Sequence, residues 1–327
     1  MCIRDRAWVG RRSLADYGEE ADSDQPRLSA REQAWLAMEG RHQQRAPTPE
    51  WALVRALEES GLSKARVAVD DMRIANILET LGRTDVTCVP GDNSFRKIRM
   101  VKSEVELGHM RRIARVNQDA CMAMLGQLER GATNADIDQL FLAEAAKRGA
   151  KAIWIAAGTV GGLPNGEIAE GQPLLIDAVS QINYYHGDFG RTFVLGEPTD
   201  ETLARTRVLQ TGWEVAREVV RPGMKYSELR ALCGDAMAKA ARPGDDIRFG
   251  AGPHSVGLQH TDQPYRDGLP FVVRDDLVFE ENMTLTVDFP VQQLGWGGAH
   301  LEDLVVVTKN GIEPLASADG TLVVGKA

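Results

Sequence analysis

Two aspartates bound the stretch that decides the fold, Asp177-Ala-Val-Ser-Gln-Ile-Asn-Tyr-Tyr-His-Gly-Asp188. The pattern predicts an antiparallel hairpin, and a turn centred on Ile182-Asn183 places the two aspartates directly opposite each other, on one face. Two unpartnered carboxylates a few ångströms apart repel each other, which raises the pKa of one of them. A cation between the two carboxylates removes this repulsion. For the hairpin alone, the alternative that both aspartates are solvated turn residues remains open.

Three further candidate ligands follow at long range. His254 lies between glycines that let the backbone approach closely, and Asp288 and Glu302 interrupt apolar strands, where packing explains a charge poorly. A lone histidine is more often structural, so the prediction depends on the complete set. One imidazole and four carboxylates, with a formal charge of about −4, suit a pair of divalent cations.

Composition limits the class of protein. A chain of 327 residues holds one large domain or two smaller ones, and its net charge of −9 argues against a nucleic-acid partner. No apolar run predicts a membrane span, and the N-terminus lacks the apolar core of a signal peptide. The four cysteines are scattered, which predicts free thiols in a reducing compartment. We therefore expect a cytoplasmic enzyme without a membrane span.

The first 95 residues predict a partial α/β domain. The predicted elements are a surface helix near Leu28–Glu39, a helix Glu50–Ser60, a strand Ala65–Val69, a helix Met72–Leu81 and a strand Val86–Val89. The opening strands of such a domain are missing from the pattern. We therefore expect the front of this region to be truncated.

Residues 96–327 predict an α+β domain, because helices and strands segregate instead of alternating. The predicted elements are helices Ser103–Leu128 and Asn134–Arg148, hairpin strands Leu174–Val179 and Tyr184–Leu195, and strands Met283–Val291 and His300–Thr308. Ten residues from Gly131 weakly repeat ten from Gly223, and each copy follows one helix and begins another. This repeat indicates two related halves.

The chain resembles the pita-bread metallohydrolases, which include methionine aminopeptidase, aminopeptidase P, prolidase and the metal-free relative creatinase. The resemblance covers about residues 98–315 and is carried by Ile98-Arg-Met-Val-Lys-Ser-Glu-Val-Glu106, Asp177, Asp188-Phe-Gly-Arg-Thr192, His254-Ser-Val-Gly-Leu258, Glu281-Asn-Met-Thr-Leu-Thr-Val-Asp288 and Leu301-Glu-Asp303. It implies a pita-bread catalytic domain with two pseudo-symmetric halves over residues 96–327. A partial domain similar to the N-terminal domain of prolidase and creatinase would precede it over residues 1–95.

The resemblance also implies a role for each ligand. Asp177 would chelate one ion, Asp188 and Glu302 would bridge two, and His254 and Asp288 would hold the second. The two divalent ions, manganese, cobalt, zinc or iron, would activate a water for attack on an amide carbonyl. Oxygen-rich sites with one histidine accept all four metals, so the sequence does not select among them.

Four departures from the family pattern bear on the chemistry. Asp288 stands where glutamate is usual, and His300 where arginine is usual. His260 follows His254 by six residues instead of seven; we expect it to donate a proton or stabilise an oxyanion, with a surface-loop role as the alternative. The loop before the first aspartate offers Asn165 in place of the histidine of the peptidases.

These observations predict the reaction and the pocket. The expected catalytic residues are His260, Asp288 and His300, with Asn165 and Trp296 binding substrate. The leading prediction is an Xaa-Pro aminopeptidase or dipeptidase that acts on small peptides as a homodimer. Because the loop histidine is missing, a non-peptidase hydrolase or lyase on the same fold, similar to ectoine hydrolase or dimethylsulfoniopropionate lyase, is a close alternative. A non-catalytic binding module is the alternative from another class.

Overall fold

The chain divides into two units, Met1–Asp92 and Asn93–Ala327. A computed structural model describes residues 8–9, 29–39, 45–158, 166–245, 248–266, 269–274, 276–316 and 320–326. Its helices are α1 Ala30–Glu39, α2 Pro49–Glu59, α3 Arg73–Thr80, α4 Asp92–Met100, α5 Glu104–Leu125, α6 Asn134–Lys147, α7 Asp200–Val219 and α8 Tyr226–Ala240. Its strands are β1 Trp8–Val9, β2 Arg45–Ala46, β3 Arg66–Val69, β4 Thr87–Pro90, β5 Lys151–Gly158, β6 Pro173–Ile182, β7 Tyr185–Leu195, β8 His254–Ser255, β9 Tyr265–Arg266, β10 Leu269–Val273, β11 Thr284–Gln293, β12 Gly297–Thr308, β13 Gly311–Pro314 and β14 Leu322–Gly325.

The first unit has a small α/β core. Strands β3 and β4 pair in parallel, with α3 as the connection between them, and β1 pairs in parallel with β2. Thr48 begins α2 by accepting a hydrogen bond from the Trp51 amide, and Pro49 occupies the first turn, where a missing N–H costs nothing. A small apolar cluster fills the core: Val54, Leu57, Leu78 and Val86. The predicted helices and strands of this region match the observed ones within about two residues at each end.

The second unit repeats one supersecondary pattern. Helices α5 and α6 precede β5–β7, and α7 and α8 precede β8–β12. At the start of α6, the Thr133 amide donates to the Asp136 carboxylate at 2.7 Å; at the start of α8, the Lys225 amide donates to Glu228 at 3.1 Å. Thr133 and Lys225 also each form an isolated antiparallel bridge, with Glu167 and Val278 respectively. The repeat seen in the sequence is therefore a structural repeat.

An eight-stranded sheet dominates the second unit. Its strands follow the order β5-β6-β7-β12-β11-β8, with antiparallel neighbours throughout; β13 pairs with β12, and β14 joins β7 in parallel. Strand β5 was not predicted. The alternation of the sheet separates two faces. Odd-numbered residues of β7, β11 and β12, such as Phe189, Val287 and Leu301, pack into the apolar clusters beside the helices. Asp188, Asp288 and Glu302 occupy even-numbered positions of these strands and face the opposite side.

Candidate metal centre

The sheet register aligns four residues across its central strands. Asp177 of β6 pairs with Gly190 of β7, Gly190 pairs with Glu302 of β12, and Glu302 pairs with Asp288 of β11. Directly paired residues share one face of a sheet. Three of the predicted acids therefore project from the same face, along one line perpendicular to the strands.

The fourth acid, Asp188, lies diagonally from Asp177. The prediction that these two aspartates are directly opposed is wrong, because Asp188 pairs with Val179. The hairpin turn is Asn183-Tyr184, one residue later than predicted, and both residues have positive φ, 51° and 69°. Two-residue turns with two positive φ angles match the twist of a hairpin and favour asparagine. Asp188 still shares the face of Asp177, because it is two residues from Gly190.

His254 reaches the same face through the short strand β8. It pairs with Thr286 of β11, two residues before Asp288. Its Nε2 lies 3.7 Å from Asp188 Oδ2 and 4.0 Å from Glu302 Oε1. Burial lowers the pKa of His254, so its imidazole is held neutral and suited to metal binding. The imidazole predicted from the sequence therefore joins the acids.

His300 is completely buried beside Asp288. Its Nδ1 lies 3.0 Å from the Ile176 carbonyl oxygen, which only accepts, so Nδ1 carries a proton. Its Nε2 lies 2.7 Å from Asp288 Oδ1, which is hydrogen-bond distance. Both ring nitrogens of His300 are therefore engaged in hydrogen bonds. Burial opposes the charged imidazole, but the hydrogen bond and charge of Asp288 outweigh it and raise the pKa of His300 to about 9. The contacts suit His300 to orienting Asp288.

Gly190 makes the space that His300 occupies. A Cβ atom at this position would lie 2.3 Å from Nδ1 of the His300 ring, a distance that no side chain could accept without a shift. The glycine sits in the line of acids, between Asp177 and Glu302. Because Gly190 has no side chain, the ring of His300 from the neighbouring strand β12 can lie against β7 at this position.

The acids are crowded and poorly solvated. Burial and the nearby charge of Asp188 raise the pKa of Asp177 to about 7. Burial, with the charges of Asp188, Asp288 and Asp177, raises the pKa of Glu302 well above its usual value. Burial also opposes the charge on Asp188, but the His260 imidazole, 3.1 Å from Asp188 Oδ2, and the other surrounding imidazoles lower its pKa. Without a cation, the protein therefore cannot keep all of these groups ionised.

The residues fit divalent cations. Among the described residues, buried carboxylate oxygens at Asp177, Asp188 and Glu302 have no hydrogen-bond partner, although buried oxygens normally have one. Three sets of ligand atoms lie within 4.8 Å of one another: Asp188, His254 and His260; Asp177, His300 and Glu302; and His254, Asp288 and Glu302. Oxygen atoms without a donor, in a mixed carboxylate and imidazole set, are what bound metal ions require.

Of the two predicted substrate-binding residues, only Trp296 lies among the described residues. Asn165 lies outside the described residues. Trp296 lies in the turn between β11 and β12, where its ring packs against the Arg205 guanidinium, 4.3 Å from the ring centroid. The end of β11 is five residues beyond Asp288, or about 16 Å along a strand. The position of Trp296 therefore does not support contact with a ligand at the acids.

Sequence reasoning missed two residues at the site. Thr286 donates a hydrogen bond of 2.5 Å to Glu302 Oε1. Its position two residues before Asp288 on β11, and so on the same face, is the sequence signal that could have identified it. Trp154 lies on the unpredicted strand β5, and its ring meets the His260 ring edge-on at a centroid distance of 5.1 Å. No local sequence signal connects Trp154 with a loop more than 100 residues later.

Comparison with known proteins places this site in a family. The model of the family described as "Metallopeptidase family M24" matches residues 108–309, more than half of the chain. The chain belongs to metallopeptidase family M24. The matched segment contains all five predicted metal ligands, and a metallohydrolase with the pita-bread fold is confirmed. None of the described helices combines the length and apolar character needed to cross a membrane.

Two dipeptidases are 25% and 27% identical to this chain over the aligned residues. A "Probable dipeptidase PepE" of Mycobacterium tuberculosis (strain ATCC 25618 / H37Rv) is 27% identical over 275 residues, covering 81% of this chain and 71% of the relative. An "Xaa-Pro dipeptidase" of Pyrococcus furiosus (strain ATCC 43587 / DSM 3638 / JCM 8422 / Vc1) is 25% identical over 240 residues, covering 71% and 67%.

Solved structures show the same fold. The prolidase from Pyrococcus furiosus superposes with a TM-score of 0.69 at 20% identity, over 84% of this chain and 81% of that chain. The X-Pro aminopeptidase from Thermotoga maritima MSB8 has a TM-score of 0.69 at 21% identity, over 83% and 78%. At these identities the likeness establishes the M24 fold.

Proposed function

We propose that this member of family M24 is a dinuclear metal-dependent hydrolase that cleaves Xaa-Pro bonds in short peptides. The observation that carries the proposal is the alignment of Asp177, Glu302 and Asp288 across three strands, with Asp188 beside them on the same face. Family membership supports the hydrolysis of peptides, and the Xaa-Pro dipeptidase of Pyrococcus furiosus supports the preference for proline.

The proposed ligand roles follow from the family resemblance and agree with the contacts. Asp177 would hold one ion, Asp188 and Glu302 would bridge, and His254 and Asp288 would hold the second. Neither oxygen of Asp188 has a hydrogen-bond partner, and one of them lies 3.7 Å from His254 Nε2. A bridging carboxylate needs one free oxygen on each side, which this arrangement supplies.

The chain's own side chains hold the acids in place. Two bound divalent ions would supply Lewis acidity, which polarises an amide carbonyl and lowers the pKa of water. Thr286 fixes one oxygen of Glu302 by its hydrogen bond, and His300 fixes one oxygen of Asp288. His300 also keeps a proton beside Asp288, where the reaction must collect one from water and return one to the leaving amine.

One observation favours a second candidate, a non-peptidase hydrolase or lyase on the same fold. The acid on β11 is the shorter Asp288, and it is hydrogen-bonded to His300, whereas the family pattern has glutamate and arginine at these positions. Both changes alter the groups that would meet the reacting atoms. An altered substrate is therefore the alternative that this site supports.

A substrate comparison separates the candidates. Protein stripped of metal and reloaded with Mn²⁺, Co²⁺, Zn²⁺ or Fe²⁺ would be incubated with Xaa-Pro dipeptides, with dipeptides lacking proline, and with dimethylsulfoniopropionate. We expect release of free proline and little turnover of the others. Silence on every peptide, with turnover of the onium compound, would support the second candidate. Silence on all substrates would support a non-catalytic binding module.

We further propose manganese among the working metals, a homodimer, and a cytoplasmic location. The described cysteines, Cys88, Cys121 and Cys233, are free thiols, as expected in a reducing compartment. Light scattering of the purified protein tests the dimer, and metal-specific reactivation tests manganese. A monomer at working concentrations would overturn the proposed homodimer. No reactivation by Mn²⁺ would overturn manganese as a working metal.

A further inference from the structure

His260 lies closer to the metal-binding acids than its sequence position suggests. Its Nε2 is 3.1 Å from Asp188 Oδ2, the same oxygen that faces His254 Nε2 at 3.7 Å. The two imidazole rings lie 4.9 Å apart between centroids and are tilted by 58°. The nitrogen atoms of both rings therefore converge on one carboxylate oxygen.

We propose that His260 is a metal ligand, so that one of the two ions is held by two imidazoles together with Asp188. The proposal rests on the proposed dinuclear centre and adds a nitrogen ligand to the five expected from the sequence. It replaces the role of proton donor or oxyanion stabiliser that the sequence predicts for His260.

The distances suit a shared ion. Metal–nitrogen and metal–oxygen bonds of about 2.0–2.1 Å place neighbouring ligand atoms about 3–4 Å apart. The separations of 3.1 Å and 3.7 Å from Asp188 correspond to angles of about 100° and 130° at such an ion, close to those of a four- or five-coordinate site. Asp188, His254 and His260 also form one of the three sets whose ligand atoms lie within 4.8 Å of one another.

The outer nitrogen atoms of both rings have suitable neighbours. His254 Nδ1 lies 3.5 Å from the Ser255 carbonyl oxygen, and His260 Nδ1 lies 3.2 Å from the Thr261 hydroxyl. The Ser255 carbonyl oxygen only accepts, and the Thr261 hydroxyl can accept; a proton held on Nδ1 in this way leaves the Nε2 lone pair for the metal. Both rings thus direct the correct nitrogen towards Asp188.

A buried network holds the loop that carries His260. The Asp262 side chain is fully buried, accepts from the Leu258 amide at 3.0 Å and pairs with Arg99 at 2.6 Å. The Asp262 amide donates to the Ser255 carbonyl at 2.7 Å. These contacts fold the loop back onto β8, so the position of His260 is built by the protein and is not that of an exposed side chain.

A second imidazole changes the metal that the site prefers. Mn²⁺ favours oxygen ligands, whereas Zn²⁺, Co²⁺ and Fe²⁺ accept nitrogen readily. We therefore expect Co²⁺ or Zn²⁺ to displace Mn²⁺ from the His254–His260 site, and His260→Ala to weaken this preference. The measurement is competitive loading of metal-free protein with mixed ions, followed by elemental analysis.

Proton NMR of the protein loaded with Co²⁺ counts the imidazole ligands directly. Each bound histidine gives one strongly shifted N–H signal that disappears in D₂O. We expect two such signals in the unaltered protein, one in His260→Ala, and two in the control His109→Ala, whose ring stacks on Tyr185 away from the acids. Binding of Co²⁺ to His260→Ala should weaken by more than about 100-fold, the upper end for losing an outer-shell partner.

The outcomes separate this proposal from the proposed function. One shifted signal in the unaltered protein would overturn the ligand role of His260 and leave the dinuclear hydrolase standing. No Co²⁺ binding at all would overturn both. A count of one signal in the unaltered protein decides against the proposal even if His260→Ala fails to fold, and the thermal unfolding of the metal-free variant shows whether it has folded.

Discussion

At the scale of single residues, the site depends on one absent side chain. Gly190 stands between Asp177 and Glu302, and its lack of a Cβ atom lets the His300 ring lie against the strand. His300 in turn fixes Asp288 through a 2.7 Å hydrogen bond. The glycine therefore influences Asp288, one of the predicted metal ligands, through the position of His300.

Substitution of this glycine should damage stability and the metal centre together. We expect Gly190→Ala to reduce the free energy of unfolding by about 1–3 kcal/mol, the usual cost of overpacking, and to weaken metal binding. Urea unfolding and metal titration measure the two effects. In the control Gly234→Ala on α8, where an added Cβ atom meets nothing within 4 Å, we expect a small gain of about 0.5–1 kcal/mol. Equal stabilities of the two variants would contradict this role for Gly190.

Lys102 gives a prediction of pH dependence. Its side chain is buried, and burial lowers its pKa to about 8, an effect that the charge of Asp262 partly offsets. The unfolded chain keeps the ordinary pKa of 10.5 and so binds more protons between about pH 8 and pH 10.5. The stability contributed by this group therefore rises with pH across that window, by about 2 kcal/mol between pH 7.5 and pH 10.

The comparison with Lys102→Met isolates this effect from other titrating groups. We expect the stability of the unaltered protein to increase relative to Lys102→Met as the pH rises from 7.5 to 10. Urea unfolding at several pH values provides the measurement. A difference between the two proteins that stays constant with pH would show that Lys102 titrates normally.

At the scale of elements, the loop after β8 is fixed by one buried carboxylate. Asp262 binds Arg99 and the Leu258 amide. We expect Asp262→Asn to reduce the free energy of unfolding by about 1–3 kcal/mol, because charged partners lose their counter-charge. In the control Asp276→Asn, which breaks the exposed pair with Arg274, the change should stay within about 0.5 kcal/mol. If both variants unfold alike, the buried network does not hold this loop.

Periodicity predicted most elements, but not how they pair. Alternation along β11 and β12 placed Asp288 and Glu302 in strands, and Ser103 and Thr133 marked helix starts that the structure confirms. Turn register depends on the φ angles of two residues, so the predicted pairing of Asp177 with Asp188 was wrong by one turn position. Such angles are settled by the twist of the whole sheet.

At the scale of the whole molecule, the sequence predicted the cluster of acids and His254 better than it predicted the residues around that cluster. Five predicted ligands separated by up to 125 positions meet because the strand order brings β6, β7, β12, β11 and β8 side by side. Order along the chain does not reveal such neighbours, so their convergence was predicted from the family resemblance. Trp154 and Trp296 show the limit, since Trp154 lies on the unpredicted strand β5 and Trp296 lies in the hairpin turn between β11 and β12.

The most direct test is the metal content of the purified protein, with Asp188→Asn as the matched variant. After saturation with Mn²⁺ or Co²⁺ and removal of excess ion, elemental analysis should find about two ions per chain, and at most about one in Asp188→Asn, which loses the bridge. Hydrolysis of an Xaa-Pro dipeptide should follow the occupancy and fall by more than about 100-fold in the variant. Fewer than about 0.2 ions per chain, with no activation on adding metal, would contradict a metal centre at these acids.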